Sequence, residues 1–541
     1  MLIDRRALLV TATLGIAALA IPGFAGAMEL AAQNGFTHGV ASGEPDASSL
    51  LLWTRYVPAD RGPVELAVEL SATADFARVS TGGAAITGPW RDHTVKITVD
   101  GLAPGRIYFY RFVAPDGTRS AVGRSRTLPA SGTRPWRAAI FSCSNMGYGY
   151  FNAYAHAAAR SDLDCVIHLG DYFYEYAQDH YPTDREMVAG RVPMPLPLGE
   201  TVHLADYRLR YSSYRADPDL QELHRLQPMI AQWDDHESAN DSWEAGAQNH
   251  DPATEGDWNP RRAAAIQAYR EWMPVSDEPW KAYEIGDLAT LFRTETRLLA
   301  RTRQPEVAAL FREADPARAL RAFHDGLWMD PAATMMGSQQ EAWLARAMRA
   351  SARSGRPWQV VGFGTIMGRT VMPDTAERWL GGTDVRTADY LKNGLADAAA
   401  GLPFNFDNWG GYPAARARFL RAAQASGGNT VLISGDSHNG WAYNLAQDGH
   451  AAAVEFAGQS VTSPGFESSI KADPVAVARA FTADNAELAW CDTSRRGYMA
   501  LTIGADAVSN EWIMVDTIRQ RSRTASVGHR ASVGKGRAVL V

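Results

Sequence analysis

Four short apolar runs in this chain end in residues that bind metals or move protons. Ala138–Cys143 ends in a thiol, and Val166–Leu169 runs through Gly170 into Asp171 and Tyr174. Met229–His236 ends in Asp234, Asp235 and His236, and Thr430–His438 ends in Asp436 and His438. A carboxylate at the end of a buried strand is costly unless a cation meets it. In an α/β sheet the carboxyl ends of the strands share one crevice, where ligands bind. The pattern therefore predicts one metal cluster assembled from four strand ends.

Taken singly, each group also has an ordinary reading. In Gly435-Asp-Ser-His438, alternate residues past a strand end point to one side, so Asp436 and His438 can share a cluster. An Asx-turn at Asp436 and a surface His438 account for the same residues. The phenol of Tyr174, with a free pKa of about 10, ligates near neutral pH only to a strong Lewis acid such as ferric iron. Alone, it fits an aromatic residue at a site rim better. In Asp234-Asp-His-Glu237, helix capping explains Asp234 and Glu237 but not His236, which is suited to protonating a leaving group or holding a phosphate. Asn240 offers a neutral oxygen suited to calcium. Cys143 bound to a metal would be deprotonated outright, whereas no arginine follows it to close a Cys-based phosphatase loop. No Walker loop and no G-x-S-x-G elbow before a suitable helix is present. Hydrolysis by water or hydroxide held on two or more cations is the simplest chemistry for this set.

The elements that must position these residues follow from patterning. Phe36–Leu128 alternates short strands (Ser49–Arg55, Val64–Ser71, Thr94–Val99) with turns, and an aromatic strand follows Gly101. That predicts a fibronectin-like β-sandwich over 34–128. Leu128–Pro135 is rich in turn formers and reads as a linker. From Trp136 strands alternate with helices, and Cys143 and Asp171 are separated by about one βαβ unit, giving an α/β class with a parallel sheet. Ser338-Gln-Gln-Glu341 reads as a capping box opening a helix. Residues 518–541, rich in Arg, Ser and Gly without apolar period, predict a flexible tail.

A chain of 541 residues exceeds one small core, so two domains are expected. A net charge of −7 gives no basic field for nucleic acid. Arg5-Arg6, the apolar run Ala7–Pro22 and Ala25-Gly-Ala27 have the layout of a cleavable twin-arginine signal over 1–27. Its apolar run is short for a membrane anchor. The expectation is export by the twin-arginine translocation machinery to the periplasm or medium, with no anchor left after cleavage. Three cysteines make no disulfide framework, although a Cys165–Cys491 pair stays open.

The whole set resembles PhoD-type alkaline phosphatases, calcineurin-like metallophosphoesterases that act outside the cytoplasm. The matching pieces are Val40-Ala-Ser-Gly-Glu-Pro45, Leu52-Trp-Thr-Arg55, Phe141-Ser-Cys-Ser144, His168-Leu-Gly-Asp-Tyr-Phe-Tyr-Glu175, Trp233-Asp-Asp-His-Glu237, Ser338-Gln-Gln-Glu-Ala-Trp-Leu344 and Ser434-Gly-Asp-Ser-His438. The resemblance implies an N-terminal β-sandwich and a catalytic α/β/β/α sandwich over 136–517. It further implies one ferric iron (Fe3+) and calcium (Ca2+), acting on small-molecule phosphomonoesters and phosphodiesters. Carried across, Cys143, Asp171, Tyr174 and His438 are the expected iron ligands, with Asp171 bridging. Asp436 and a residue of Asp235–Asn240 are the expected calcium ligands, and His236 or Arg297 would steady the leaving side. The family's Trp-Asp-Gly-Tyr reads Trp409-Gly-Gly-Tyr412 here, leaving Asp407 as the nearby carboxylate for calcium. Two other readings stand beside this one: a phospholipase D-like phosphodiesterase of the same family, and a non-catalytic phosphate- or metal-binding protein.

Overall fold

The computed structural model describes residues 33–132, 134–189, 191 and 199–541. The expected signal segment, 1–27, lies outside the described residues. Seven strands come first: β1 (Gly35–Gly43), β2 (Leu50–Val57), β3 (Val64–Ser71), β4 (Val79–Thr87), β5 (Thr94–Val99), β6 (Ile107–Val113) and β7 (Gly123–Arg126). Strand β6 buries every second residue, so Tyr108, Tyr110 and Phe112 face inward. They meet Leu50 and Leu52 of β2 and Leu66, Val68 and Leu70 of β3 in one core. The four strands β4-β3-β6-β7 form one antiparallel layer of this sandwich, and β1, β2 and β5 form the other.

Thirteen more strands follow among the described residues: β8 (Trp136–Phe141), β9 (Cys165–His168), β10 (Pro228–Ala231), β11 (Lys281–Ile285), β12 (Ala289–Arg293), β13 (Trp358–Phe363), β14 (Asn429–Ser434), β15 (Gly440–Gln447), β16 (His450–Ala457), β17 (Leu488–Asp492), β18 (Gly497–Ile503), β19 (Ala507–Val515) and β20 (Ala525–Gly534). They build a nine-stranded sheet, β20-β19-β18-β8-β9-β10-β1-β2-β5, and a seven-stranded sheet, β11-β12-β13-β14-β16-β15-β17. The larger sheet takes in the outer layer of the N-terminal sandwich, because β1 pairs in parallel with β10 at Ser42↔Pro228 and Gly43↔Met229. Glu44, at the end of β1, fixes this join by pairing with Lys281 at 3.0 Å and Arg293 at 3.2 Å.

The two large sheets pack face to face. Ile140, Ile167 and Ile230 from one interleave with Leu291, Val360, Val431 and Phe456 from the other. Helices Leu204–Arg215 and Trp258–Trp272 join the core on the outer face of the first sheet, and Gly337–Arg353 and Pro413–Gln424 that of the second. This is the expected four-layer α/β/β/α arrangement. Within it β8, β9 and β10 run parallel, as do β12, β13, β14 and β16. Parallel pairing delivers the loops after β8, β9 and β10 to one edge, and the loop after β14 of the facing sheet reaches the same place, where His438 meets Cys143 and Asp171.

Two local expectations are corrected, and the open cysteine pairing is resolved. The segment expected to be a flexible tail carries β20, which pairs with β19 from Ala525 to Gly534. Its alternating short residues find a free sheet edge that composition alone does not reveal. Ser338 does not cap its helix, which begins at Gly337; the Thr334 hydroxyl accepts from the Gly337 N–H at 2.8 Å and donates to Glu341 at 2.8 Å. The cysteines are free and buried, with Cys165 in β9 and Cys491 in β17 of the other sheet.

Candidate metal centre

The strands end sooner than the apolar runs, so the chemistry sits on loops just past them. Strand β8 stops at Phe141 and β9 at His168, and the next loops knit together: Cys143 N–H donates to Gly170 O at 3.3 Å and Ser144 N–H to Asp171 O at 2.9 Å. Gly170 permits the close approach, since a Cβ there would stand 2.4 Å from Cβ of Asp234. Cys143 (φ 60°), Asp171 (φ 54°) and Asp436 (φ 60°) all adopt the left-handed region. Non-glycine residues are rarely held there, at a cost of about 1–3 kcal/mol each, and such strain concentrates at functional sites. Glu237 helps impose it. Its carboxylate accepts the backbone N–H groups of Tyr172 (2.6 Å), Asp171 (3.1 Å) and Asp234 (2.8 Å), clamping the loops after β9 and β10 together.

Among the described residues three donor groups result, each with ligand atoms within 4.8 Å of one another: Cys143, Asp171 and His438; Asp171, Asp235 and His236; and Asp235, Asp241 and Asp407. Asp171 belongs to the first two and Asp235 to the last two, so the groups form a chain. Tyr174 joins the first, its hydroxyl 3.3 Å from Asp171 Oδ2 and 3.2 Å from His438 Nε2. His438 Nδ1 lies 2.8 Å from the Pro464 carbonyl, which turns Nε2 toward the cluster. Asp436 lines the cavity that Asp241 and Asp407 also border.

The electrostatics ask for positive charge. Burial, then Asp171, pushes the Cys143 thiol well above its ordinary pKa, and burial with Asp171 and Cys143 does the same to the Tyr174 phenol. Burial raises Asp171 well above the carboxylate range, with His236 opposing and Asp235 adding. Burial and Arg496 hold His438 down to about 3. Asp171 Oδ1 and Asp235 Oδ1 are buried without a hydrogen-bond partner. An Asp171 oxygen without a hydrogen-bond partner, beside a thiol, a phenol and a carboxyl driven toward their neutral forms, fits a cation site: a bound metal would restore the three anions, and His438 is held in the neutral form that ligates.

The remaining expected residues fall less evenly. His236 contacts the cluster, with Nδ1 2.7 Å from Glu175 Oε2. Burial opposes its charge, but Asp235, Glu175 and Asp171 outweigh it and raise the imidazole well above its usual pKa. Arg297 is fully buried and spent on carboxylates, with Asp234 at 2.7 and 2.8 Å and Asp407 at 2.7 Å. The structure therefore does not place it facing a leaving group. The Asn240 side-chain oxygen accepts from Tyr176 at 2.9 Å, and its amide donates to Gln248. Its neighbour Asp241, absent from the sequence reading, joins Asp235 and Asp407 in the third group. Asp407 reaches the cluster while bonded to Arg297 and Arg301.

Comparison with known proteins agrees with this architecture. Residues 138–512 match the model of the PhoD-like phosphatase family, and residues 23–129 match that of its N-terminal domain. The chain is 30% identical over 462 residues to alkaline phosphatase D of Bacillus subtilis (strain 168), covering 81% of this chain and 71% of that protein. The solved structure of PhoD superposes with a TM-score of 0.76 at 26% identity, covering 94% of this chain and 92% of the other. Purple acid phosphatase PPD1 from yellow lupin shares the fold, with a TM-score of 0.55 at 13% identity over 93% of this chain and 74% of that one. The chain therefore belongs to the PhoD-like phosphatase family and is a phosphoesterase that hydrolyses phosphate esters.

Proposed function

We propose that Cys143, Asp171, Tyr174 and His438 hold a ferric ion, and that Asp235, Asp241, Asp407 and Asp436 hold calcium. The observation that carries this is Asp171, shared by two donor groups, with a buried oxygen lacking any partner. A soft thiolate with a phenolate suits the ferric ion, and an all-carboxylate set suits a hard cation such as calcium. When bound, such cations polarise a phosphate ester and lower the pKa of a water nucleophile.

The chain's own residues do the rest. Glu175 engages Nδ1 of His236 and so leaves Nε2 as the nitrogen that donates to a phosphate or leaving oxygen. Arg297 fixes Asp234 and Asp407, holding the carboxylates in register rather than touching substrate. Asp171→Ala is the test, read by metal content and p-nitrophenyl phosphate hydrolysis. Activity should fall more than about 100-fold, beyond what loss of an outer partner costs. Full activity in that variant would remove this assignment.

The same centre serves monoesters and diesters, and a side-by-side assay of a bis-ester, a phosphocholine lipid and a monoester separates alkaline phosphatase from phospholipase D-like action. Arg5-Arg6 supports export by the twin-arginine route to the periplasm or beyond. No helix among the described residues is long and apolar enough to cross a membrane.

A further inference from the structure

Beside the carboxylates Asp241, Asp407 and Asp436 opens a cavity of about 710 Å³. Small-molecule sites run from about 300 to 1,000 Å³, so this space takes far more than a phosphate group. We propose that it is a subsite for the organic half of the ester, built for a planar, uncharged ring system of the nucleoside type. This rests on the phosphoesterase reading above.

Two features argue for that chemistry. First, the walls carry flat aromatic faces. Trp243 lies under the Arg303 guanidinium at 5.1 Å, and Tyr390 meets Phe404 edge-on with ring centroids 6.3 Å apart. The Trp243 ring is fixed by a tight turn: the backbone N–H of Trp243 donates to Gly246 O at 2.8 Å, and a Cβ on Gly246 would stand 2.5 Å from the ring. Such faces, including the guanidinium plane, stack bases.

Second, the wall offers little free basic side chain for a second anionic group. Arg303 is the sole arginine or lysine among the described lining residues, and it pairs with Glu306.

The test compares phosphate release from adenosine 5′-monophosphate and glycerol 3-phosphate by the metal-loaded enzyme. Both lose a primary alkoxide, so their chemistry is matched and any difference lies in recognition. The nucleotide should be preferred in kcat/KM by about tenfold or more, the size of one base–aromatic stack. Trp243→Ala and the more exposed Tyr390→Ala should each pull that ratio toward one, chiefly through KM. Independently of turnover, saturation-transfer NMR on the wild-type holoenzyme should show contact with adenosine and none with glycerol. Equal kcat/KM for the two esters, a preference for phosphocholine, or no saturation of adenosine would overturn the subsite. Failure to release phosphate from either ester would instead overturn the phosphoesterase reading, and adenosine contact would still decide the subsite.

Discussion

The buried carboxylate of Glu175 lies 2.7 Å from Nδ1 of His236, and the same carboxylate accepts the backbone N–H of Asn240 at 2.7 Å. One residue thus fixes both the orientation of the imidazole and the loop that carries Asp241. Glu175→Gln keeps the shape but removes the charge, so kcat should fall about 10–100-fold, as for other groups that orient a site residue. Steady-state kinetics with p-nitrophenyl phosphate checks this; a kcat within twofold of wild type would show that His236 does not depend on Glu175.

Asp234 supports the site without being assigned a metal. It holds Arg297 through two contacts at 2.7 and 2.8 Å in a fully buried pair. Asp234→Ala leaves part of a buried guanidinium uncompensated and should destabilise the protein by about 3–5 kcal/mol. Urea denaturation at fixed metal concentration measures it, and a loss below about 1 kcal/mol would mean that Asp407 suffices to hold Arg297.

Asp397 gives a pH dependence away from the metal centre. Burial pushes its carboxyl up to about 7, and its Oδ1 has no partner. In the unfolded chain it titrates at about 3.9. Between these values the native state keeps a proton that the unfolded state has released, so stability is lost as pH rises through that window. Asp397→Asn removes the loss. Its stability advantage over wild type should be small near pH 4 and full above pH 7, read from denaturant midpoints across that range. An advantage independent of pH would refute the account.

Much of the site was legible because its chemistry is short in sequence and ends apolar runs. Asp171, Asp235 and His438 stand next to strands whose hydrophobic runs are plain, and parallel pairing, with the facing of the two sheets, then brings their loops to one place. Asp241 was not legible: it follows Asn240 with no periodic cue, and only the fold of the loop after β10 turns it inward. The partners of Arg297 were not legible for a similar reason, because a sequence does not reveal that Asp234 and Asp407 flank it from two separate loops. The strand at 525–534 was hidden by its composition, since what recruits it is the free edge of β19.

Export can be tested at the two arginines themselves. Arg5→Lys with Arg6→Lys keeps the charge but should strand the precursor in the cytoplasm, as fractionation and immunoblotting would show. Normal release of the double variant would exclude the twin-arginine route.

The most direct test of the metal assignment is the visible absorption spectrum of purified wild-type enzyme, with its iron content, beside Tyr174→Phe. A ferric ion bound by Tyr174 should give a violet tyrosinate-to-iron band in the wild type, with iron in stoichiometric amount, and the band should vanish in the variant. A colourless, iron-free wild-type enzyme with full phosphatase activity would contradict the ferric centre at Cys143, Asp171, Tyr174 and His438.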